Sequence, residues 1–381
     1  MGENKIYKLI SELNDMNDTF SLKEKYDISN SQKLLHCDII DDENKGSLKK
    51  YLKHGKGGSV EVEYKVNDIG RLNIRVKGLK EEDGCKCQTF MKGSVKSALC
   101  KKAYVDLDMV NCHPVLLEQI FKELKYDTPV LSTYNKSRDK FFKKMERYGI
   151  NRDQCKKLIM VIFYNGKISS WCKDFNIEEE ILKGTAIHAL EIEIKENTKK
   201  ILQTNELLKY RLEATQRKSE DQYPNIEGTA MAYFLQTMES RCIMVMYNYL
   251  KKKGRTVGAL IHDGLHLEKK KNDDPEYKED FTGLIAEMKQ EIKNKTGFEM
   301  DLKIKDFQTI EALDNIIVVT SDKEGGDYIT DQLKNDYVIS QERIFMRIHN
   351  VWTNNEKVIR RGLIKKIGNM NIFFGKGEEI I

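Results

Sequence analysis

The segment that most constrains this chain is the run Tyr104-Val105-Asp106-Leu107-Asp108-Met109. Its residues alternate, so Asp106 and Asp108 leave one face of a predicted strand while apolar residues leave the other. Two carboxylates on one strand face repel each other unless a divalent cation lies between them and a phosphate. The segment therefore predicts either a metal-binding strand or an edge strand with two solvated aspartates, which is the commoner meaning of an isolated Asp-x-Asp.

The composition bounds the class of protein. A length of 381 residues is enough for two or three domains with a sizeable core. Lys and Arg total 65 against 60 Asp and Glu, which gives a net charge of +5. A basic surface beside acidic strand ends favours a nucleic-acid enzyme over a small-molecule enzyme, although a well-solvated surface of mixed charge explains the same counts. With only 4 Pro and frequent helical periodicity, the sequence predicts an α+β chain rich in helix.

Cysteine usage and hydropathy predict an intracellular setting. The 8 Cys include no pair of Cys-x-x-Cys motifs, so we expect reduced thiols and no zinc site. No secretory leader is visible, and no apolar run approaches the ~18 residues of a membrane span. The sequence therefore predicts a protein that is neither secreted nor in contact with a membrane.

Three parts are predicted along the chain. Helical spacing of apolar residues from Ile6 to Leu13 predicts an N-terminal helical segment at 1–60. A main α+β part is predicted at 61–315, and a polar, Gly-containing linker then leads to a small α+β module at 325–381. Because the last residues do not resemble a domain edge, we expect the chain to be the front part of a larger architecture.

Two helices in the main part carry candidate ligand-binding residues. Asn151 is a predicted helix cap, and Arg152, Lys156 and Tyr164 then recur at spacings that keep them near one side of the helix. Two cations and an aromatic ring can hold a triphosphate and a base, but an amphipathic helix with a basic edge is the interpretation that the pattern alone favours. On a later helix that opens at Asn225, Gln236 and Glu239 are polar and could reach a substrate, but solvation is their favoured role.

A hairpin places one more aspartate at a turn. Val257 to Ile261 predict one strand, His262-Asp263-Gly264 a tight turn, and Leu265 to Glu268 a second strand. A His-Asp pair in a turn is usually no more than a turn, so its meaning depends on the rest of the chain.

The order of these motifs resembles the palm and fingers of family A DNA polymerases, in their divergent viral and plasmid form. The resemblance covers about 65–270 and rests on six motifs in the family order. They are Gly70-Arg71-Leu72, Gln88 with basic residues after it, the strand ending in Asp108, the Arg152–Tyr164 helix, Gly228-Thr229-Ala230 at the start of a helix, and His262-Asp263. It implies a right-hand palm, built from an antiparallel sheet with helices, and helical fingers at about 120–222. It also implies template-directed nucleotidyl transfer on a DNA template-primer with dNTPs, or with NTPs and primase activity.

The resemblance implies a role for each matching residue. Asp108 and Asp263, with Asp106 as a partner, would bind two Mg²⁺ ions, for which Mn²⁺ is an alternative, and His262 would approach the primer end. An alternative register gives Asp106 the principal place. The remaining roles are nucleotide binding by Arg152, Lys156, Tyr164, His113 and Asn111, and nucleic-acid binding by Arg71, Gln88, Lys92, Lys96 and Gln236. The chain departs from the family at Gly264, where the family has Glu, and at His113, where the family has the Glu that excludes a 2′-hydroxyl.

Two rival interpretations stay open at this point. An archaeo-eukaryotic type primase-polymerase would keep Asp106, Asp108 and Asp263, and a non-catalytic nucleic-acid-binding replication factor would use the basic residues alone. The tail around Asp336 and Trp352 resembles the small domain that precedes the ATPase of viral primase-helicases, which suggests a helicase domain or subunit as partner. No Gly-x-x-x-x-Gly-Lys-Ser/Thr segment is present, so no ATPase is predicted in this chain.

Overall fold

A computed structural model describes most of the chain up to residue 313 and a smaller share of the residues after it. The described residues are 19–36, 40–80, 83–222, 224–270, 279–310 and 313, with the backbone of four later strands at 316–321, 327–328, 364–367 and 370–376. The architecture is α+β, as the composition predicted, and the described strands form two antiparallel sheets and one mixed sheet.

The first sheet has the strand order β1-β2-β3 and is antiparallel throughout. Its strands are β1 (Thr19–Lys25), β2 (Ser59–Lys65) and β3 (Asn73–Val76). Val60, Val62 and Tyr64 alternate along β2 and are fully buried, as in a strand with one face against the core. β1 lies inside the segment that was predicted to be helical. The predicted helix around Ile6 lies outside the described residues.

The second sheet contains the aspartates and has the strand order β5-β6-β4-β7. Its strands are β4 (Tyr104–Met109), β5 (Val257–Ile261), β6 (Gly264–Glu268) and β7 (Leu302–Lys305), and each neighbouring pair is antiparallel. β4 therefore lies inside the sheet, between β6 and β7, and is not the edge strand of the alternative prediction. The hairpin predicted at His262-Asp263-Gly264 is confirmed.

A third sheet is built from the later strands, in the order β10-β11-β8-β9. They are β8 (Ile316–Ser321), β9 (Asp327–Tyr328), β10 (Ile364–Ile367) and β11 (Met370–Lys376). β8 pairs in parallel with β11, so this sheet begins before residue 325, where the C-terminal module was predicted to begin. The resemblance noted around Asp336 and Trp352 falls outside the described residues.

Helices make up most of the described chain between β4 and β5. In chain order the helices of the described part are Ile28–His36, Asp42–Lys53, Gly93–Cys100, Cys112–Glu123, Pro129–Lys136, Arg138–Glu146, Arg152–Phe163, Ile168–Phe175, Ala186–Leu202, Leu208–Arg217, Ile226–Lys252 and Thr282–Thr296, with short 3-10 turns at Gln88–Phe90, Glu179–Leu182 and Asn205–Leu207.

Sequence signals explain where several helices begin and end. Asn151 and Gln154 form a capping box at the start of the Arg152–Phe163 helix, which confirms the predicted cap. Gly297 ends the Thr282–Thr296 helix in the left-handed conformation that glycine commonly adopts at a helix C-terminus. The Ile226–Lys252 helix is buried along most of its length and packs behind the second sheet.

Candidate metal and nucleic-acid site

The ends of β4 and β5 bring Asp108 and Asp263 together. Asp108 lies directly opposite Gly264 in the β4–β6 pairing, and Asp263 is the residue before that glycine. The backbone N–H of Met109 donates to the carbonyl oxygen of Asp263 at 2.8 Å. The turn of the hairpin is therefore fixed beside the end of β4, with one aspartate on each side of the junction.

Gly264 permits this close approach. A Cβ atom at this position would lie 2.7 Å from the backbone oxygen of Leu107 and 3.2 Å from Oδ1 of Asp108. Any larger side chain would push β6 away from β4.

The two aspartates have raised proton affinities. Burial raises the pKa of Asp108 to about 7, with the negative charge of Asp263 as the next contribution. The pKa of Asp263 is raised as well, chiefly by burial and then by the charge of Glu239. Two partly buried carboxyl groups of like charge therefore share one site, which favours either a proton or a cation there.

Lysines share the sheet face of the aspartates. Lys305 lies opposite Asp106 and Lys303 opposite Asp108 in the β4–β7 pairing, and both lysines are exposed. The pKa of Asp106 is raised by burial, while the positive charges of Lys305 and Lys96 act against that rise. Lysines therefore lie opposite both aspartates, but Asp108, unlike Asp106, also has a second carboxylate among the charges that raise its pKa.

The carboxylate pair suits one kind of metal ion. In the part of the chain that the structure describes, no three His, Cys, Asp or Glu side chains are arranged to hold a metal ion. Mg²⁺ does not require such a cluster, because it is commonly bound by one or two carboxylates together with water and phosphate oxygens. Asp108 and Asp263 are the residues that would hold it, and a bound ion would supply positive charge next to a phosphate.

A buried network lies next to the pair. Arg71 Nε donates to Oε2 of Glu239 at 2.8 Å, and Nε2 of His113 lies 3.1 Å from Oε1 of the same carboxylate. The hydroxyl of Tyr164 makes a short hydrogen bond to Nδ1 of His113. Arg71, Glu239, His113 and Tyr164 therefore join the loop after β2 to three helices.

Glu239 is the central residue of this network, and the sequence interpretation missed it. We expected solvation, but the residue is 2% exposed. Burial acts to raise the pKa of Glu239, yet the interactions with His113 and Arg71 outweigh it and hold the pKa at about 2. The available signal was the polar run Glu239-Ser240-Arg241 inside an otherwise apolar helix.

A close helix contact positions Tyr164. A Cβ atom at Gly228 would lie 1.8 Å from the carbonyl oxygen of Tyr164, so only glycine allows this packing. Asn225 caps the same helix by accepting from the N–H of Gly228, and its Nδ2 donates to the Tyr164 carbonyl oxygen at 2.9 Å. The close contact with Tyr164 therefore requires the glycine of the Gly228-Thr229-Ala230 motif.

The two predicted triphosphate ligands lie away from this network. Arg152 pairs with Asp139 at 2.7 Å, and its guanidinium lies over the ring of Phe142. Lys156 pairs with Asp153 at 2.8 Å. At 1.5 Å per residue, these positions are about 18 and about 12 Å from Tyr164 along the helix. The structure brings Tyr164 to the aspartate region but gives both cations acidic partners on the exposed helix surface.

Gln88 does not contact solvent, so the predicted role in nucleic-acid binding is wrong. The residue is 0% exposed, and its Nε2 donates to the backbone oxygen of Lys25 at 2.8 Å. Its Oε1 lies 3.2 Å from Nδ1 of the equally buried His266. Gln88 therefore joins the first sheet to the second instead of facing a ligand.

Asn111 and His113, two predicted nucleotide-binding residues, both have side-chain partners within the protein. Asn111 has a left-handed backbone, and its Nδ2 donates to Oδ1 of Asn135 at 2.7 Å. His113 is 6% exposed and is held between Tyr164 and Glu239. The His113 side chain is therefore buried away from any nucleotide, whereas Asn111 is partly exposed and its predicted contact stays a prediction.

The remaining predicted residues surround the site at different depths. Lys92 is exposed and pairs with Asp41 at 2.6 Å, while Lys96 is partly buried near Asp106. Gln236 is partly buried beside Gly70. Their predicted contacts with nucleic acid stay predictions.

An open pocket lies on the Arg71 side of the pair. Its volume is about 340 Å³, including space open to solvent, and it is lined by Arg71, Phe90 and His262 and by the apolar side chains of Leu72, Ile243 and Leu260. His262 has a φ of 45° in the hairpin turn. Burial and the charge of Arg71 lower the pKa of His262 to about 4, so its ring is neutral near pH 7.

Comparison with known proteins bears on the function that the sequence predicted. No protein-family model matches the sequence. A Sputnik virophage protein named "Putative helicase V13" is 24% identical over 305 residues, which are 74% of this chain and 35% of that protein. The chain thus spans about a third of the length of this relative. The relative is named as a helicase, which contradicts the predicted template-directed nucleotidyl transfer and its primase-polymerase alternative.

The described residues also include no helix that is long and apolar enough to cross a membrane.

Proposed function

We propose that this chain is the nucleic-acid-engaging part of a helicase-related protein. In this proposal, Asp108 and Asp263 hold a divalent cation, Mg²⁺ in the first place, against a phosphate of the bound strand. The similarity to a virophage protein named as a helicase supports a protein that acts on nucleic acid. Because the sequence contains no Gly-x-x-x-x-Gly-Lys-Ser/Thr segment, the proposal for this chain is strand engagement and not ATP hydrolysis.

The observation that carries the proposal is the electrostatic conflict between the two aspartates. Burial and the charge of Asp263 raise the pKa of Asp108, and burial and the charge of Glu239 raise the pKa of Asp263. A bound divalent cation would remove that conflict, and a phosphate would complete its coordination. Exposed Lys303 and Lys305 on the same sheet face would attract the remaining charge of a nucleic-acid backbone.

The polymerase resemblance is retained as a proposal about fold alone. The antiparallel order β5-β6-β4-β7, with an aspartate at the end of β4 and another in the hairpin, supports a palm-like arrangement. No polymerase activity is carried over with that arrangement.

The test measures strand binding with and without the metal ion. A fluorescent single-stranded DNA oligonucleotide is titrated with the protein in Mg²⁺ and in EDTA, and anisotropy gives both Kd values. We expect Mg²⁺ to strengthen binding by the wild type, and we expect Asp108→Asn and Asp263→Asn to lose that gain by more than about tenfold. In EDTA both variants should bind as well as the wild type or better, because each removes a negative charge.

Two results would contradict the proposal. One is the absence of DNA binding at moderate salt, and the other is a Mg²⁺ effect of equal size in the wild type and both variants. Glu220→Gln removes one acidic charge at an exposed position away from the pair and serves as the matched control.

A further inference from the structure

The pocket beside the aspartates contains an exposed aromatic ring. Phe90 is 48% exposed, although it lines a pocket whose other walls are largely apolar. A single exposed apolar side chain is ordinary on a protein surface, but Phe90 differs because its ring lines a pocket with largely apolar walls. Nothing in the proposed metal site uses this ring.

The backbone that carries Phe90 is rigidly anchored. Gln88 and Thr89, which precede it in the same 3-10 turn, are 0% and 3% exposed. The hydroxyl of Thr89 donates to the carbonyl oxygen of Leu260 in β5 at 2.8 Å. Because the turn is already ordered, a ligand that packs on the ring pays little conformational entropy.

The surroundings of the ring suit a nucleobase. The Phe90 ring meets the ring of His262 edge to face, with centroids 6.1 Å apart and planes at 61°. Leu72 and Leu260 provide apolar walls. Part of the space in front of the ring is open to solvent, so a base has an approach to the ring from that side.

A cation at the pocket rim suits the phosphate that accompanies a base. Arg71 lines the pocket, and 38% of its side chain remains exposed although Nε is held by Glu239. Its charge also lies close enough to Asp263 to interact with it. The pocket therefore offers an aromatic face, a cation and proximity to the proposed metal site.

We propose that the pocket at Phe90 binds one base of a nucleic-acid strand, with the base stacked on the Phe90 ring and an adjacent backbone phosphate at Arg71. This inference rests on the proposed function, because it assumes that a strand runs past Asp108 and Asp263. The inference adds a second contact, in which the strand is bound through a stacked base and not through the charge of its backbone.

The test compares strands that differ by a single base. Single-stranded DNA oligonucleotides carry one abasic position, which is moved along the strand, and are titrated against wild type, Phe90→Ala and Phe90→Leu. We expect Phe90→Ala to weaken binding of the intact strand by about 5- to 150-fold, the range for loss of one base stack. One abasic position should weaken the wild type by a similar factor and leave Phe90→Ala almost unchanged.

Two controls separate stacking from general effects. Tyr148→Ala removes an aromatic ring of the same 48% exposure outside the pocket and should leave affinity unchanged. Phe90→Leu keeps an apolar side chain and should lose most of the same affinity, with an unfolding midpoint equal to that of the wild type. Fluorescence of 2-aminopurine at the critical position should be quenched by wild type and not by Phe90→Ala.

The outcomes are distinct for the two proposals. Mg²⁺-dependent strand binding that is the same in wild type and Phe90→Ala would overturn this inference and leave the proposed function intact. Equal quenching of a free 2-aminopurine nucleotide at the same concentration would also overturn it, because the ligand would then be a nucleotide and not a strand. Absence of any strand binding by the wild type would overturn both.

Discussion

Asp108 combines the two properties on which the proposed metal site depends. It is partly buried at the end of β4, and it shares its site with the carboxylate of Asp263. In the folded protein the pKa of Asp108 rises from 3.8 to about 7, so the protonated form is favoured. Without metal, the stability that comes from this protonation is fully present below pH 3.8 and is lost as the pH rises through about 7.

A bound metal ion reverses this dependence, which gives a prediction about affinity. Because the ion must displace the proton of Asp108, the affinity for Mn²⁺ should rise by about tenfold per pH unit below the raised pKa and level off above it. Isothermal titration at several pH values measures this slope. NMR shifts of the Asp108 carboxyl carbon should give a lower pKa in Asp263→Asn, because the variant lacks the negative charge that disfavours ionisation of Asp108. Affinity that does not change with pH would contradict this account.

Glu24 is a carboxyl group away from the candidate site that also has a raised pKa. It is fully buried and accepts from the hydroxyls of Tyr51 and Tyr64 and from the backbone N–H of Gln88. Burial raises its pKa from 4.5 to about 7, and these hydrogen bonds only partly oppose the rise. The fold therefore holds the neutral acid, and ionisation costs stability.

The predicted effect of Glu24 is a loss of stability at high pH. Between pH 4.5 and pH 8 this group should cost about 3 kcal/mol of the free energy of unfolding, in the direction of lower stability as the pH rises. Glu24→Gln keeps a polar group of the same shape and should remove this part of the pH dependence. Urea denaturation of both proteins at several pH values measures the difference. Parallel stability curves for wild type and variant would show that Glu24 is not responsible.

At the scale of single residues, local patterns drew attention to Asp108 and Asp263 but did not predict the burial of Glu239 and Gln88. Asp108 and Asp263 could be selected because their local patterns, a strand end and a hairpin turn, are readable over a few residues. Glu239 and Gln88 were misread because their burial depends on distant partners. Arg71 and Glu239 are 168 residues apart, and no local pattern links them.

At the scale of elements, the junction of β4 and β6 depends on Gly264. We predict that Gly264→Ala destabilises the protein by about 1–3 kcal/mol, because the added methyl group meets the backbone oxygen of Leu107. Chemical denaturation measures the change, and the variant should also bind Mn²⁺ more weakly because Asp108 and Asp263 are forced apart. Gly283→Ala is the control, since a Cβ atom there has no neighbour within 4 Å and lies in a helix. Equal stability of Gly264→Ala and wild type would contradict the close approach.

Elements could be predicted where capping or turn residues and hydrophobic periodicity indicate the same boundaries. The cap at Asn151 and the Val257–Glu268 hairpin were found because they follow local rules of capping and alternation. Which strands would be neighbours could not be predicted. Lys303 and Lys305 face the aspartates only because β7 pairs with β4, and that register is set by packing of the whole sheet.

At the scale of the whole molecule, the α+β class followed from composition, whereas the function did not follow from motif order. Six weak motifs in a family order predicted a polymerase, but comparison with a virophage protein named as a helicase overturned that function. Short motifs report local geometry, such as an aspartate at a strand end, and unrelated reactions reuse the same geometry. The division into three parts stays a prediction.

The central claim is that Asp108 and Asp263 bind a divalent cation together. Mn²⁺ binding followed by electron paramagnetic resonance tests it directly, with wild type, Asp108→Asn, Asp263→Asn and the matched variant Asp106→Asn. We predict that the first two variants lose the bound ion, and that Asp106→Asn keeps it because Asp106 faces Lys305 and Lys96 instead of a carboxylate. Mn²⁺ binding that survives in Asp108→Asn and Asp263→Asn, or that is lost only in Asp106→Asn, would contradict the account.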